Sequence, residues 1–429
     1  MTDIRAFRGV SYNMGAIKSL ADVVTPPYDV ISPDQKKSYL EKSPYNMVRL
    51  ILPDGEKPYQ HADQLFEDWM KTQVLVQDPE PGLYAYHQSF VSEDGEQKTR
   101  KGFISRIRLE DFDRGVVLPH ESTLAAPKQD RLELLRACKA NFEPIFSLYS
   151  DPEMRVNSLL DSATQVPPRA RVTDEGGAVH SLWRIHESAL IDSICSQMKS
   201  HWVLIADGHH RYESCLSYRD EMKRQNPDPE APFQFTLMFF ANLHDPGVVI
   251  LPYNRGVLNL SNFDPDAIRK KASAYFDIVE YKDVNAGASA LKERGQKTTA
   301  FVAQFAGSPR AFLLVLKPQT DLRPFYPANA STAVQRLDIN ILHKIFLENV
   351  LSISQTDIQQ QKYLKYYKNQ NDERRDFESG NLQIAFFMNP TPVQQVVDVS
   401  RGGEKMPQKS TFFYPKLLTG LVINRHLES

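Results

Sequence analysis

A short apolar run that is stopped by an Asp-Gly pair constrains this chain more than any other feature. The run covers residues 202–206, a length typical of a buried strand, and Asp207-Gly208 breaks it. A helical pattern then follows over residues 210–224 and ends at Asn226-Pro227. Because glycine permits a tight or left-handed turn, the sequence predicts a strand, a sharp turn and a helix whose first N–H groups are exposed at the turn.

The side chains of this turn suit an anionic ligand. N–H groups at a helix N-terminus carry roughly half a positive charge and attract anions. Arg211 adds a planar fork for phosphate or carboxylate, while His209 and His210 can donate hydrogen bonds or move protons near neutral pH. Asp207 can orient a histidine or hold a metal-bound water. The simpler alternative is a polar turn that Asp207 only caps, and a metal site is disfavoured because adjacent histidines do not share one helix face.

A second group of candidate residues follows a short apolar run that ends in proline. His120 and Glu121 place a base and a carboxylate in a non-periodic loop, and Lys128 and Arg131 come soon after. We expect Lys128 and Arg131 to contact phosphate, with Glu121 or His120 as the general base. The alternative is a solvated loop that leads into a capped helix.

Two further segments contribute candidates near the ends of the chain. Pro26-Pro27-Tyr28-Asp29 is a rigid loop in which Asp29 is a candidate catalytic carboxylate, a partner for a substrate amine or a ligand of Mg²⁺. The alternative interpretation of this loop is a stiff connector. Near the C-terminus, Lys409 and Ser410 precede a predicted strand, and a lysine beside hydroxyl groups suits contact with phosphate. The glycine-rich loop of a P-loop is missing there.

Strands and helices alternate irregularly along the chain, without strict βαβ order. This pattern predicts an α+β fold of mixed sheets with flanking helices. Residues 82–91 and 99–109 are expected to pair through a hairpin at Asp94-Gly95. Residues 46–52 are predicted as a strand and residues 337–351 as a helix.

The motifs divide the chain into three predicted parts. The parts are residues 1–150 with the PPYD and HE motifs, residues 151–260 with DGHHR, and residues 261–429 with MPQKST.

Bulk properties narrow the class of protein. The 429 residues carry a formal net charge of -2, so no overall basic field favours DNA or RNA, and no helix-turn-helix is apparent. Three distant cysteines lack disulfide or metal spacing, which favours a reducing compartment. The N-terminus lacks a signal-peptide core, and no apolar run approaches the ~20 residues of a membrane helix. We therefore expect a cytoplasmic protein whose partners are small molecules, without nucleic acid or membrane.

Four ordered segments together resemble a bacterial and archaeal family known as domain of unknown function 1015. The segments are residues 25–31, residues 119–121 with 128–131, residues 206–213, and residues 406–416. The match spans nearly the whole chain, but the family name implies no activity.

A narrower resemblance concerns the DGHHR turn. This turn is similar to a motif of the ParB/sulfiredoxin-like nucleotide-binding superfamily, which includes free-serine kinases that move a nucleotide phosphate onto the serine hydroxyl. The resemblance implies a core of that kind, in which the two histidines and Arg211 contact phosphate and Asp207 shapes the turn. It does not identify the base, for which Asp29 and Glu121 are candidates from the residues themselves.

Together these patterns favour a phosphotransferase that uses ATP or ADP with Mg²⁺. The acceptor would be a small hydroxylated metabolite, first of all an amino acid such as serine. Two alternatives stay open: a phosphatase or hydrolase of a phosphorylated metabolite, and a non-catalytic nucleotide-sensing module. The residues expected to bind phosphate or nucleotide are Asp207, Gly208, Arg211, Lys128, Arg131, Lys409 and Ser410.

Overall fold

The computed structural model describes residues 1–295 and 297–426, and its backbone contacts divide the chain into two units. The first unit comprises residues 1–119, 123–249 and 415–429. The second comprises residues 120–122 and 250–414. Each unit has its own principal sheet.

The first unit is built on one large mixed sheet and two small ones. Its strands are β1 Ile4–Arg5, β2 Val10–Tyr12, β3 Leu75–Gln77, β4 Leu83–Val91, β5 Gln97–Arg108, β6 Val117–Leu118, β7 Ala140–Asn141, β8 Ile145–Tyr149, β9 Ala170–Thr173, β10 Val179–Ile185, β11 Val203–Asp207 and β12 Phe235–Asn242. The large sheet has the order β6-β11-β8-β12-β5-β4-β10-β9, with β1 paired to β5. Only the pairs β6–β11 and β8–β12 are parallel. This arrangement confirms the predicted mixed α+β class.

The predicted hairpin is confirmed as the pair β4 and β5. The strands are antiparallel, from Tyr84 opposite Ile104 to Val91 opposite Gln97. The turn contains Gly95 with φ of +82°, a backbone conformation that glycine adopts without strain. The turn signal therefore correctly indicated which two strands pair.

Seven α-helices flank the strands in the described part of the first unit. They are α1 Pro33–Lys42, α2 Val48–Ile51, α3 Pro58–Lys71, α4 Ala125–Cys138, α5 Arg155–Ala163, α6 Ser188–Met198 and α7 His209–Lys223. Helices α4 to α7 contribute buried apolar side chains to a single core with the large sheet, including Leu132, Leu160, Ile194 and Tyr212. Helix α7 is thereby anchored along its length, which fixes the position of its first turn.

The prediction of a strand at residues 46–52 is wrong. The segment forms the short helix α2, and Val48, Leu50 and Ile51 are fully buried. The Asn46 side chain accepts a hydrogen bond from the Val48 N–H and so starts the helical turn. A short apolar run without periodicity does not distinguish a strand from a buried helix.

The second unit is built on an antiparallel six-stranded sheet. Its strands are β13 Val249–Leu251, which begins at the unit boundary, β14 Asn254–Val257, β15 Phe276–Tyr281, β16 Ala300–Phe305, β17 Ala311–Leu316, β18 Leu364–Tyr367, β19 Ile384–Met388 and β20 Phe412–Tyr414. The six-stranded sheet has the order β15-β17-β16-β19-β14-β18, and β13 pairs with β20 separately.

Helices cover this second sheet and bury its apolar side chains. They are α8 Pro265–Ala272, α9 Val284–Arg294, α10 Thr332–Gln335, α11 Asp338–Ile341, a π-helix at Leu342–Val350, α12 Gln355–Gln359, α13 Gln370–Glu378 and α14 Val393–Arg401. One apolar cluster joins α9 to strands β16, β17 and β19. Phe346 of the π-helix packs against Phe301 and Phe386 of the same sheet. The predicted helix at residues 337–351 is confirmed, although its second half is a π-helix.

The two units differ from the three parts predicted at residues 1–150, 151–260 and 261–429. Strand β12 lies between β8 and β5 in the large sheet, so the first two predicted parts share one sheet. The last residues, 415–429, also belong to the first unit. There the strand Asn424–Arg425 pairs with β7.

The part of the chain that the structure describes contains no candidate membrane-spanning helix. Within residues 1–295 and 297–426, no helix is both long enough and apolar enough to cross a bilayer.

Candidate anion-binding site

The strand–turn–helix predicted at residues 202–224 is present in the first unit. Strand β11 ends at Asp207, Gly208 has φ of +97°, and α7 begins at His209. A Cβ atom at Gly208 would lie 2.8 Å from the Arg211 Nη2 atom. Glycine is therefore required twice here, by the left-handed backbone and by the guanidinium packed against it.

Asp207 is the centre of an ion network at this turn. Its Oδ2 atom accepts a hydrogen bond of 2.7 Å from Arg211 Nη2, and its Oδ1 atom accepts one from Lys416 Nζ. Arg211 Nη1 donates to the Pro144 carbonyl at 2.9 Å. The side chains of Asp207, Arg211 and Lys416 are only 15%, 9% and 11% exposed. Two cations thus share one carboxylate beside the first turn of α7.

The charge state of Arg211 follows from its neighbours. Burial acts to lower the pKa of Arg211, but the nearby carboxylates of Glu143, Asp207 and Asp29 outweigh it, so the pKa is raised. Arg211 therefore stays a cation within the protein. Asp29 itself lies on the exposed side of a 3₁₀ turn, Tyr28–Val30.

The two histidines of the turn differ in their surroundings. His209 is buried, with 7% of its surface exposed. His210 Nε2 accepts a hydrogen bond of 2.9 Å from the Leu124 N–H, the residue before α4. A nitrogen that accepts from an amide carries no proton, so this contact favours the neutral form of His210. The histidine thereby fixes the loop that precedes α4 to the start of α7.

Helix α4 brings Lys128 and Arg131 into the same unit. Lys128 Nζ lies 3.5 Å from Glu213 Oε2 of α7. Arg131 is 5% exposed and donates to the neighbouring Asp130, while its Nη1 atom lies 3.7 Å from Glu143 Oε2. Its guanidinium also lies over the Tyr28 ring, 4.1 Å from the centroid.

Tyr28, which is partly exposed, and Glu143, which is buried, lie beside Arg131. The Tyr28 N–H donates a hydrogen bond of 2.9 Å to Glu143 Oε1. Burial and the adjacent Asp29 carboxylate raise the pKa of the Tyr28 phenol, so it stays protonated. The rigid Pro26-Pro27 loop therefore serves to hold a backbone donor against a buried carboxylate.

The other predicted residues form a cluster in the second unit. His120 Nε2 is 2.9 Å from Thr411 Oγ1, and the Met406 N–H donates to the His120 carbonyl at 2.7 Å. Glu121 forms a parallel bridge with Met406. The HE and MPQKST motifs, which are remote in sequence, are thus adjacent in this unit.

Lys409 has an unusual backbone conformation within this cluster. Its φ is +56°, although it is not a glycine, and its carbonyl accepts a hydrogen bond of 2.8 Å from Arg255 Nη2. Burial lowers the pKa of Arg255 to about 10. Lys409 Nζ lies 5.9 Å from the centroid of the Tyr253 ring, and the Ser410 hydroxyl donates to the Pro407 carbonyl. Left-handed non-glycine residues cost energy and occur preferentially at functional sites.

The predicted residues therefore fall into two sets. The first unit contains Asp29, Lys128, Arg131 and residues 207–211, and the second contains His120, Glu121, Lys409 and Ser410. A joint role for the two sets stays a prediction.

Sequence reasoning gave no role to Glu143 or Lys416, which are central to the first set. Lys416 is 209 positions from Asp207 in the chain, and Glu143 is 115 positions from Tyr28. The only signals were Glu143, an acidic residue directly before Pro144 in an apolar stretch, and Lys416, the last residue of the segment 406–416. Neither signal indicates a partner.

The described residues offer little for direct metal ligation. In the part of the chain that the structure describes, no three His, Cys, Asp or Glu side chains are grouped so that they could hold a metal ion. A magnesium nucleotide needs less, because phosphates and waters supply most ligands and one or two carboxylates suffice. Asp29 is an exposed carboxylate near the Arg211 charge, and its role as a magnesium ligand stays a prediction.

The chain matches one family model and is similar to several solved structures. A family model described as "Protein of unknown function (DUF1015)" matches residues 4–340, and no curated protein matches. A conserved hypothetical protein from Pyrococcus furiosus is similar at 14% identity and a TM-score of 0.35, covering 72% of this chain and 90% of that one. A mutant free serine kinase in complex with ADP is similar at 11% identity and a TM-score of 0.36, covering 71% and 85%. Free serine kinase in complex with AMP is similar at 13% identity and a TM-score of 0.33, covering 71% and 85%. Likeness at these scores assigns no activity.

Proposed function

We propose that this chain, which belongs to the family described as protein of unknown function (DUF1015), is a phosphotransferase. The proposed reaction moves a phosphate from a nucleotide, with ATP as the first donor to test, onto the hydroxyl of a small metabolite. An amino acid such as serine is the first acceptor to test.

One observation carries this proposal: two cations are fixed on one carboxylate at the first turn of a 15-residue helix. Arg211 and Lys416 are held by Asp207 and are mostly buried, so a ligand does not have to order them. The helix terminus adds roughly half a positive charge. Phosphate, whose charge is spread over several oxygens, is the group that best matches a forked guanidinium beside an ammonium.

Phosphoryl transfer suits this arrangement because its catalysis is mostly positioning and neutralisation of charge. Arg211 and Lys416 would contact the phosphates at the turn, and Lys128 and Arg131 of α4 are proposed as further contacts. A magnesium ion would arrive with the nucleotide, and Asp29 is the carboxylate proposed to complete its ligands. When bound, the ion would neutralise charge on the transferring phosphate.

The test is ADP formation from magnesium ATP with L-serine as acceptor. We expect Lys416→Met to lower kcat/KM by roughly thirtyfold, because a lost hydrogen bond to a charged group costs about 2 kcal/mol. The matched control is Lys101→Met, which removes a lysine that pairs with Asp161 at 2.6 Å elsewhere on the large sheet. The control should keep the wild-type rate.

Two outcomes would contradict the proposal. Absence of nucleotide binding at millimolar concentration would exclude both the kinase and the nucleotide sensor. Release of phosphate from phosphoserine, without ADP formation from ATP, would identify a hydrolase instead.

A further inference from the structure

A small cavity in the first unit is lined by the buried group that contains Arg131 and Arg211. Its volume is about 40 Å³. Its polar lining residues are Arg131, Asn141, Glu143, Arg211, Ser214 and Thr236. A space of this size holds at least one water molecule or a small polar group.

Two buried donors at this cavity lack a partner within the described residues. They are Arg131 Nη1 and Arg211 Nε, which make no hydrogen bond although both side chains are more than nine-tenths buried. Arg131 Nη1 has only the longer ion-pair contact of 3.7 Å to Glu143. Buried N–H groups are rarely left unsatisfied, so an occupant that accepts hydrogen bonds is expected here.

Glu143 supplies a hydrogen-bond acceptor in the same cavity. Its Oε1 atom accepts from the Tyr28 N–H at 2.9 Å and from the Thr419 hydroxyl at 3.4 Å. Its Oε2 atom accepts no hydrogen bond from any residue that the structure describes. The cavity therefore offers two donors and one strong acceptor. A second anion would be repelled by Glu143, whereas a hydroxyl accepts from the guanidinium groups and donates to the carboxylate.

Arg211 connects this cavity to the turn that carries the proposed function. Its Nη2 atom donates to Asp207 at the start of α7, and its side chain lines the cavity. A hydroxyl group bound in the cavity would thus lie next to the same guanidinium that is proposed to contact phosphate. Acceptor oxygen and phosphorus are the two reactants that a kinase must bring together.

On the basis of the proposed function, we propose that the cavity binds the hydroxymethyl end of the acceptor and that Glu143 is the catalytic base. The acceptor oxygen attacks the terminal phosphorus of the nucleotide and forms a new P–O bond. The bond to the bridging oxygen breaks, and the nucleoside diphosphate leaves with that electron pair. The hydroxyl proton passes to Glu143 Oε2. The substrate class is a small alcohol, because its hydroxyl can accept from the two guanidinium groups and donate to the carboxylate that line the cavity.

Binding gives the first test, independent of turnover. Calorimetry compares L-serine with L-alanine, which differ only in the hydroxyl. We expect wild-type protein to bind L-serine at least about tenfold more tightly than L-alanine, since an unmet buried donor penalises the analogue that lacks the hydroxyl. Glu143→Ala should reduce this preference to about twofold or less.

Turnover gives the second test. We expect Glu143→Gln to lower ADP formation from magnesium ATP and L-serine by about a hundredfold or more, which is typical of a lost general base. The glutamine keeps an acceptor for the Tyr28 N–H, and Arg131 and Arg211 keep their hydrogen bonds to Asp130 and Asp207, so the fold and the affinity for ADP should be retained. Glu143→Asp should restore part of the rate. The matched control is Glu133→Gln on α4, where Glu133 pairs with Arg136 at 2.6 Å.

The outcomes separate the two proposals. Equal binding of L-serine and L-alanine, or no binding of either, would show that the cavity holds water only and would overturn the inference. ADP formation that Glu143→Gln leaves unchanged would overturn the role of Glu143 while the phosphotransferase stands. Serine-selective binding that depends on Glu143, without any ADP formation, would support the hydroxyl site. It would contradict both the phosphotransferase activity and the proton transfer to Glu143.

Discussion

At the scale of single residues, Asp207 has a role that could not be predicted from the residues next to it in the sequence. An aspartate before a helix commonly caps the first turn, but this one accepts from two basic side chains, Arg211 and Lys416. A mostly buried cation is tolerated only when it is paired. The Asp207 carboxylate therefore allows two cations to lie at the start of α7. Its removal should lower the free energy of unfolding more than the removal of either cation.

We expect Asp207→Ala to lower the free energy of unfolding by about 3–5 kcal/mol, because it leaves two mostly buried cations without their carboxylate. Lys416→Met should cost only about 1–2 kcal/mol, since Asp207 still accepts from Arg211. Urea unfolding at pH 7 measures both values. Equal losses in the two variants would contradict this account of the network.

Asp338, at the start of α11 in the second unit, should make stability depend on pH. Burial raises the pKa of this carboxyl to about 7 from 3.8, although a hydrogen bond with Thr299 acts in the other direction. The folded protein therefore keeps a proton that the unfolded chain loses between about pH 4 and 7. Stability should fall across this window as pH rises, by at most about 1.4 kcal/mol per pH unit, and level off above pH 7.

The Asp338→Asn variant isolates this effect. Its urea midpoint, compared with wild type in steps across about pH 4 to 7, should lack the decline that Asp338 causes. The variant would then be relatively more stable at the upper end of the window. Parallel pH profiles for the two proteins would show that Asp338 ionises normally in the folded state.

At the scale of secondary-structure elements, the site depends on how β11 passes into α7. The strand and helix were predictable from an apolar run, an Asp-Gly break and a helical pattern. The β4–β5 hairpin was predictable for the same reason, since Asp94-Gly95 is a local turn signal. The short helix within residues 46–52 was not predictable, because local apolar character does not distinguish a short buried helix from a strand.

Gly208→Ala should destabilise the protein through two effects. A left-handed backbone costs a residue with a Cβ about 1–3 kcal/mol, and the new methyl would crowd the Arg211 guanidinium, whose Nη2 atom is 2.8 Å away. The matched control is Gly177→Ala, where φ is +83° but no atom lies within 4 Å of the added Cβ. Urea unfolding of both variants separates backbone strain from crowding.

We expect Gly208→Ala to cost more than Gly177→Ala and to weaken nucleotide binding, whereas Gly177→Ala should leave binding unchanged. If both variants lose the same stability, the contact between residue 208 and Arg211 does not constrain the turn.

At the scale of the whole molecule, long-range pairing is what the sequence could not supply. The motifs themselves were visible, and the structure brings the HE and MPQKST segments together at the Glu121–Met406 bridge. Glu143 and Lys416 acquire their roles only through partners that are remote in the chain. A single sequence contains no signal for such pairs. The part of the site that was predictable is therefore the part whose geometry is local.

The same long-range pairing makes the C-terminal segment essential to the first unit. Residues 415–429 return to this unit after the chain has completed the second one. The Pro415 carbonyl accepts a hydrogen bond from the fully buried Arg100, and the Lys416 carbonyl accepts one from Gln88. The strand Asn424–Arg425 pairs with β7. A chain that ends before residue 415 would lose these hydrogen bonds and this strand pairing.

We expect a fragment of residues 250–414 to unfold cooperatively on its own, because it retains the six-stranded sheet and its apolar cluster. A fragment of residues 1–249 should be several kcal/mol less stable than the same unit in the full chain, since buried polar groups lose their acceptors. Addition of a peptide of residues 415–429 should restore much of that loss, as measured by urea unfolding followed by circular dichroism. If residues 1–249 were as stable without the peptide as the first unit is in the full chain, the hydrogen bonds of residues 415–429 would not stabilise that unit.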